Sequence, residues 1–186
     1  MWLTNNLQVP LTTLQAMPKT IKYGYINSKF GKMLLGLTTI TKGAKSCNAI
    51  CLLYFVQKSD IESLKEVQRR WPNVELVLDA VAIEKCMETL YSDNDAVIDV
   101  AVRGTDLQLA VWNELVKLKV GSTITYSELA QLVDRPRAVR AVASAVAKNE
   151  VSILIPCHRI VSKSGAVKYG WGAKLKSDLL EYEANT

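Results

Sequence analysis

Histidine is nearly absent from this chain: His158 is the only one in 186 residues. Apolar runs long enough to span a bilayer are missing altogether. The opening residues Met1-Trp2-Leu3-Thr4-Asn5-Asn6 lack the basic flank and apolar stretch of a secretory signal. These absences argue for an intracellular protein, nuclear in a eukaryote or cytoplasmic in a prokaryote, with no membrane partner. No internal repeat or low-complexity tract is present either. With one imidazole, a tetrahedral zinc site is out of reach, because Cys47 and Cys51 have no nearby ligands to complete it. Neither a metal nor a cofactor is expected. In a reducing compartment the four cysteines are thiols, and Cys47, Cys51 and Cys86 read as small core hydrophobes.

What is present is the balance of a globular protein with a real core, 49% apolar and 22% charged. The net charge of +5 is uneven. Residues 1–102 hold 11 Lys+Arg against 10 Asp+Glu, and residues 103–186 hold 12 against 8. A basic half suits a polyanion, although many basic proteins never meet one.

β-prone runs at residues 21–26, 33–37 and 49–55, separated by turns at 27–31 and 41–43, predict an antiparallel meander. Apolar spacing predicts helices over 60–70, capped by Ser59 or Asp60, and over 80–91. A turn at Asp93-Asn94-Asp95 and a strand over 97–102 follow. Gly104-Thr105 marks a boundary, after which the chain reads as helical and short-looped, beginning with a helix over 106–118. The reading is an α/β (α+β) N-terminal domain, residues 1–102, of structural role, and a mainly helical C-terminal domain, residues 103–186.

A short helix over 127–133, a break at Asp134-Arg135-Pro136 and a second helix over 137–147 have helix-turn-helix spacing. The second helix is rich in alanine, which suits close approach to a groove and equally suits tight packing in a core. Arg135, Arg137 and Arg140 cluster where phosphates are usually met. Further on, an apolar run delivers Pro156-Cys157-His158-Arg159-Ile160-Val161. A thiol next to a base can be held as the attacking thiolate. Adjacency in sequence alone leaves a structural Cys–His pair equally open.

Pro156-Cys157-His158-Arg159-Ile160-Val161 resembles the signature of the O6-alkylguanine-DNA alkyltransferases, the methylated-DNA–protein-cysteine methyltransferases. Arg103-Gly104-Thr105 with Val111-Trp112, Ile124-Thr125-Tyr126-Ser127-Glu128-Leu129-Ala130, Arg137-Ala138-Val139-Arg140-Ala141-Val142-Ala143, Asn149, Tyr169-Gly170-Trp171-Gly172 and Leu179-Leu180-Glu181-Tyr182-Glu183 resemble the same family. Residues 103–183 are covered almost without gaps. The N-terminal half is similar only through Phe30-Gly31-Lys32-Met33-Leu34-Leu35.

The resemblance implies a winged-helix-like helix-turn-helix that binds double-stranded DNA containing O6-alkylguanine through the minor groove, as a monomer. It implies single-turnover, irreversible transfer of an alkyl (methyl) group to Cys157 from guanine O6, with thymine O4 as an alternative donor position. Such chemistry needs the nucleotide flipped out of the stack. By resemblance Arg140 fills the vacated space and Tyr126 drives the rotation and then protonates the N3 side of the leaving guanine. His158 takes the thiol proton through a water, and Glu183 orients the imidazole. Ser127, Arg135, Arg137, Ala141 and Lys163 are expected on the DNA, with Ala141, Ala143 and Ala145 small enough to enter the groove. Asn149, Ile160, Gly170 and Trp171 are expected around the substrate. Leu107 stands where many relatives have Phe, and Trp171 suggests poor acceptance of benzyl adducts. Competing readings are a lesion binder without transfer, which Cys157 argues against, a helix-turn-helix regulator, and a Cys–His hydrolase.

Overall fold

The computed structural model describes residues 7–91, 96–165 and 167–186, so the turn expected at Asp93-Asn94-Asp95 lies outside the described residues. The chain divides into two compact units, the first ending at Arg103 and the second running over Gly104–Thr186. Among the described residues no helix is long and apolar enough to cross a membrane.

The first unit is built on a mixed sheet. In chain order it contains β1 (Leu11–Thr13), β2 (Thr20–Ser28), β3 (Gly31–Lys42), β4 (Lys45–Phe55), α1 (Asp60–Arg70), β5 (Glu75–Leu78), α2 (Ala80–Leu90) and β6 (Val100–Val102). In space the strands run β1-β6-β4-β3-β2-β5. The expected meander is β2-β3-β4, antiparallel throughout. Its strands outlast their apolar runs, because pairing continues through Thr41↔Ser46 and Lys42↔Lys45 to the turn at Gly43. The central strands are buried without alternation: Met33, Leu34, Leu35, Ile50, Cys51, Leu52 and Leu53 are all at most 1% exposed. Such continuous burial marks strands covered on both faces.

β1 and β5 escape sequence reading, being three and four residues long, and both are fixed by parallel pairing at the sheet's edges. The strand expected over 97–102 shrinks to β6, with Val97 contributing only a bridge to Gln8. Ser59 caps α1 by accepting from the Glu62 amide at 3.2 Å. Of the cysteines read as core, only Cys51 is buried. Cys47 and Cys86 are half-buried, and the Cys47 thiol donates to Asp99 Oδ2 at 3.7 Å. Cys47 lies toward the hairpin end of β4, beyond the solidly apolar stretch, which is why it fails to enter the core.

The second unit contains α3 (Asp106–Leu115), β7 (Ile124–Thr125), α4 (Tyr126–Leu132), α5 (Val139–Ala147), a 3-10 turn at Cys157–Arg159, β8 (Ile160–Val161) and α6 (Ala173–Ala184). α3 starts in a capping box, Thr105 and Gln108 satisfying each other's backbone amides. Gly104 must be glycine here, since a Cβ would lie 2.8 Å from both the Gln108 side chain and the Trp112 ring. α3 stops short of residue 118, because Lys117 and Leu118 bond back to Glu114 and Leu115 in a tighter 3-10 winding. Trp112 Nε1 donates to Ala145 O at 3.0 Å, tying α3 to α5.

α4 begins one residue earlier than its apolar pattern suggests, because Thr125 and Glu128 form a second capping box. It ends where Asp134 takes φ +55° and the Arg135 amide bonds Ala130 O, six residues from acceptor to donor in the Schellman manner. α5 starts at Val139 rather than 137, since the Arg135–Ala138 segment closes a turn through Ala138 N and Arg135 O. The half read as mainly helical also holds a small parallel ladder, Ile124↔Ile160 and Thr125↔Val161. That ladder sets the segment just before Tyr126 beside the segment just after Cys157.

Candidate active site

Residues 149–157 fold into a tight, buried loop whose centre is Asn149. Asn149 Oδ1 accepts from the Val151 amide at 2.9 Å, and Nδ2 donates to Ile155 O at 2.8 Å and to Cys157 Sγ at 3.2 Å. One carboxamide thus replaces the ladder that the loop backbone lacks. Within it, Leu154 N bonds Ser152 O at 2.8 Å across Ile153, which has φ +70°. This is the strained form of the γ-turn, on a β-branched residue that disfavours positive φ. Cys157 N bonds Ile155 O at 2.7 Å across Pro156, whose φ of −80° and ψ of 64° make the relaxed, inverse form. Proline's ring presets that φ. The loop therefore delivers Cys157, 9% exposed, in one orientation.

His158, Arg159 and Glu183 form a buried network beside it. His158 Nε2 lies 2.7 Å from Glu183 Oε1. Arg159 grips the same carboxylate with two donors, Nη2 to Oε1 at 2.8 Å and Nε to Oε2 at 2.9 Å, and its Nη1 reaches Leu118 O. Gly121 N completes the set at 3.3 Å from Oε2. Four donors on two oxygens fill the carboxylate's capacity. Gly121 adopts φ +74°, and a Cβ there would stand 3.0 Å from Glu183 O, so the amide's approach demands glycine.

Burial pushes the Glu183 carboxyl up, but the hydrogen bonds from His158 and Arg159 outweigh it and lower its pKa to about 2. Burial lowers His158, with Glu183 only partly opposing, so the imidazole is neutral. A neutral ring facing a carboxylate through Nε2 carries its proton there, which leaves Nδ1 as a base. His158 Nδ1 is buried and has no partner. Burial raises the Cys157 thiol, opposed by the Asn149 hydrogen bond and the charge of Lys176. The resting sulfur is accordingly protonated, in contrast to a thiol held permanently as thiolate by its neighbour. Tyr126 is raised by burial and by the charge of the nearby Cys157.

Of the residues expected on DNA, Arg135, Arg137, Arg140, Ala141 and Lys163 are exposed and Ser127 is half-exposed. Arg140 and Ala141 lie on the outward face of α5. Ala145, expected in the groove with Ala141 and Ala143, is instead 4% exposed and packs inward beside Val142 and Val146. The helix's alanines thus face both ways, Ala145 into the core and Ala141 to the outside. Around the substrate, Asn149 and Ile160 are buried, Trp171 is half-buried and Gly170 is exposed. The Ile160 carbonyl is already engaged by Lys176 Nζ.

Sequence reading missed Lys176, Ser152 and the grip of Arg159 on Glu183. Lys176, 3% exposed, also donates to Lys168 O at 3.5 Å and so holds the 162–172 loop onto β8. A signal was available: Lys176, Leu179 and Glu183 lie at i, i+3 and i+7 on one stripe of α6, and charges on an apolar stripe are buried charges with partners. Among the described residues no cluster of three His, Cys, Asp or Glu is placed to hold a metal ion.

The DNA-binding domain model of 6-O-methylguanine DNA methyltransferase matches residues 106–185. The bifunctional transcriptional activator/DNA repair enzyme Ada of Escherichia coli is 32% identical over 170 residues, 88% of this chain and 46% of that protein. The chain thus spans less than half the length of that relative. The inducible methylated-DNA–protein-cysteine methyltransferase of Bacillus subtilis is 37% identical over 134 residues, 68% of this chain and 75% of that one. The mixed α/β fold is that of the Mycobacterium tuberculosis O6-methylguanine methyltransferase, with a TM-score of 0.61 at 26% identity over 89% of this chain and 93% of that one. The same bacterium's OGT has been solved in complex with DNA. The chain belongs to the methylated-DNA–protein-cysteine methyltransferase family.

Proposed function

We propose that this chain repairs DNA by moving an alkyl group from guanine O6 to Cys157 Sγ, once per molecule. One observation carries the reading: a buried thiol is followed in the chain by a buried imidazole whose Nε2 is held by Glu183 and whose Nδ1 has no partner. His158 Nδ1 accepts the thiol proton through a water. The resulting imidazolium is stabilised by Glu183, held ionised by Arg159. The sulfur attacks the alkyl carbon, the S–C bond forming as the C–O6 bond breaks, and the electron pair leaves on the guanine. Tyr126 protonates the base as it departs, and the proton held on His158 returns through solvent to the Tyr126 phenolate, so the net result is a thioether, an intact guanine and no proton gained or lost. Nothing in the site attacks a thioether, so the reaction stops there.

DNA approaches the winged-helix-like second unit through the exposed basic residues around α4 and α5. Arg140 enters the stack, Ala141 faces the minor groove, and Ser127, Arg135, Arg137 and Lys163 meet phosphates. A single chain carries every group required. Incubation with a duplex labelled in the O6-methyl group tests the reading. One label per molecule on the protein, and none on Cys157→Ala, is the expected result. Turnover beyond one label, or labelling that survives Cys157→Ala, overturns it.

A further inference from the structure

Two buried hydroxyls near the reacting sulfur have no part in the transfer described so far. Ser152 Oγ lies in the loop that delivers Cys157, and Tyr169 Oη comes from the segment between β8 and α6. Ser152 is 0% exposed. The backbone fixes both residues. The Ser152 carbonyl accepts from the Leu154 amide at 2.8 Å, and the Tyr169 carbonyl accepts from the Gly172 amide at 3.1 Å. One residue before Tyr169, the Lys168 carbonyl is held by Lys176 Nζ at 3.5 Å.

The Tyr169 hydroxyl hydrogen-bonds Ser152 on one side and Cys157 on the other. A count of protons gives these bonds a direction. Each hydroxyl has one proton to donate, and a buried O–H without an acceptor is costly. Ser152 has no acceptor besides the Tyr169 oxygen. If Tyr169 donated to Ser152, the Ser152 proton would have nowhere to go. Both protons are placed only when Ser152 donates to Tyr169 and Tyr169 donates to Cys157 Sγ. Burial holds the phenol well above its ordinary range, so Tyr169 keeps its proton while the sulfur ionises. Asn149 Nδ2 donates to the same sulfur at 3.2 Å. Two fixed donors thus converge on the charge that develops as the thiol is deprotonated.

We propose that Tyr169 is a catalytic donor to the ionised sulfur, acting with Asn149, and that Ser152 is the positioning residue that aims the Tyr169 hydroxyl. This rests on the transfer reaction proposed above and adds no step to it. The S–C bond still forms as the C–O6 bond breaks, and the Tyr169 O–H bond stays intact throughout.

Titration of the thiol tests the assignment without DNA. Alkylation of the full chain by iodoacetamide is followed from neutral to alkaline pH. Peptide mass mapping isolates the signal of Cys157 from those of the half-buried Cys47 and Cys86. Tyr169→Phe should move the midpoint to the alkaline side by about one pH unit, about a tenfold loss of thiolate at pH 7. Ser152→Ala should move it the same way by a smaller amount. In the Tyr169→Phe background Ser152→Ala should add nothing, because no hydroxyl is left to aim. This double variant removes both oxygens together and leaves no buried hydroxyl unpaired, so its folding does not suffer from an orphaned donor. Lys176 of α6 and Tyr126 of α4 face the sulfur, and Glu183 faces Tyr169, in every variant, so their contributions cancel in the comparison. A midpoint unmoved by Tyr169→Phe overturns the donor. A further shift from Ser152→Ala in the absence of the Tyr169 hydroxyl overturns the positioning role. Single-turnover transfer from an O6-methylguanine duplex is measured over the same pH range, and its profile should shift in step with the titration. Transfer that is normal while the titration stays unmoved refutes the donor alone. A titration that shifts as expected in a protein that transfers no methyl group refutes the transfer reading and leaves the hydrogen bonds to the sulfur as assigned.

Discussion

Glu183→Gln changes one atom of the buried network and nothing of its shape. The wild-type carboxylate accepts from His158 Nε2 and Arg159 Nη2 at Oε1, and from Arg159 Nε and Gly121 N at Oε2. A carboxamide offers one acceptor oxygen and an NH2 group, so whichever way it sits, two donors face another donor. Arg159 is left with a buried charge and no counter-charge, since the side chains of the pair are 7% and 0% exposed. Breaking such a pair typically costs about 3–5 kcal/mol. Proton linkage gives an independent figure. The folded carboxyl is lowered to about 2 from the 4.5 of a free glutamate, and that difference at about 1.36 kcal/mol per pH unit is roughly 3.4 kcal/mol. Because the folded pKa is the lower one, this stability is fully present above pH 4.5 and is lost as pH falls toward 2. For a chain of this size roughly 3 kcal/mol corresponds to a Tm lower by about 6–12 °C. Denaturant unfolding of both proteins at pH 7 and through the range from 5 to 2 measures both effects. The wild-type protein should lose its advantage over Glu183→Gln on the acid limb. A loss under 1 kcal/mol at pH 7, or parallel acid limbs, would refute the network as described.

Three further expectations follow from the same geometry. Asn149→Ala removes a hydrogen bond that lowers the Cys157 pKa, so the thiol rises further, the transfer rate at pH 7 drops, and the pH–rate profile moves to the alkaline side. An unmoved profile would remove Asn149 from the ionisation of the sulfur. Replacing Arg137 and Lys163 with alanine should weaken binding to undamaged and damaged duplexes alike and reduce the slope of log K against log salt by about 0.9 for each lost phosphate contact. Filter binding across a salt series reads this directly, and an unchanged slope would place DNA elsewhere. Ile153→Gly relieves backbone strain of about 1–3 kcal/mol but deletes a side chain only 3% exposed, worth about 2–5 kcal/mol. Packing should win, with a net loss near 2 kcal/mol in unfolding measurements; a more stable variant would mean that strain dominates.

Local signals carried the sequence reading a long way. The meander, the first two helices, the boundary at Gly104 and the helix pair before the thiol all have short-range causes: alternation, capping residues, a proline break. β1 and β5 lacked such causes, because three or four residues held at a sheet's edge by parallel partners distant in sequence have no pattern of their own. β7 and β8 were hidden for the same reason. At the site, the family resemblance pointed to the thiol, the base and the carboxylate, but not to the state in which they rest. That the sulfur is protonated depends on the depth of its burial, and burial depends on the loop that Asn149 organises. In the sequence Arg159 has no visible partner, whereas its fork closes on one carboxylate. Only the fold of α6 against the 3-10 turn brings the two together.

Where the polar groups of the core lie is informative in itself. Among the described residues the buried polar side chains are Thr38, Asn149, Ser152, His158, Arg159, Lys176 and Glu183. All but Thr38 belong to the second unit, and all six surround Cys157 or hold the loops that frame it. A well-packed apolar set at 158, 159 and 183 would give a fold as stable or more so, since buried ion networks seldom stabilise relative to hydrophobic replacements. The concentration of desolvated charge in one place therefore has no explanation in stability. It has one in chemistry: Arg159 keeps Glu183 ionised, Glu183 fixes the His158 tautomer, and the free Nδ1 makes a proton acceptor out of a ring that burial has kept neutral. The thiol can thus remain protonated until the base removes its proton. The same burial that raises its pKa shields it from adventitious alkylation and oxidation, which the proposed single transfer would require.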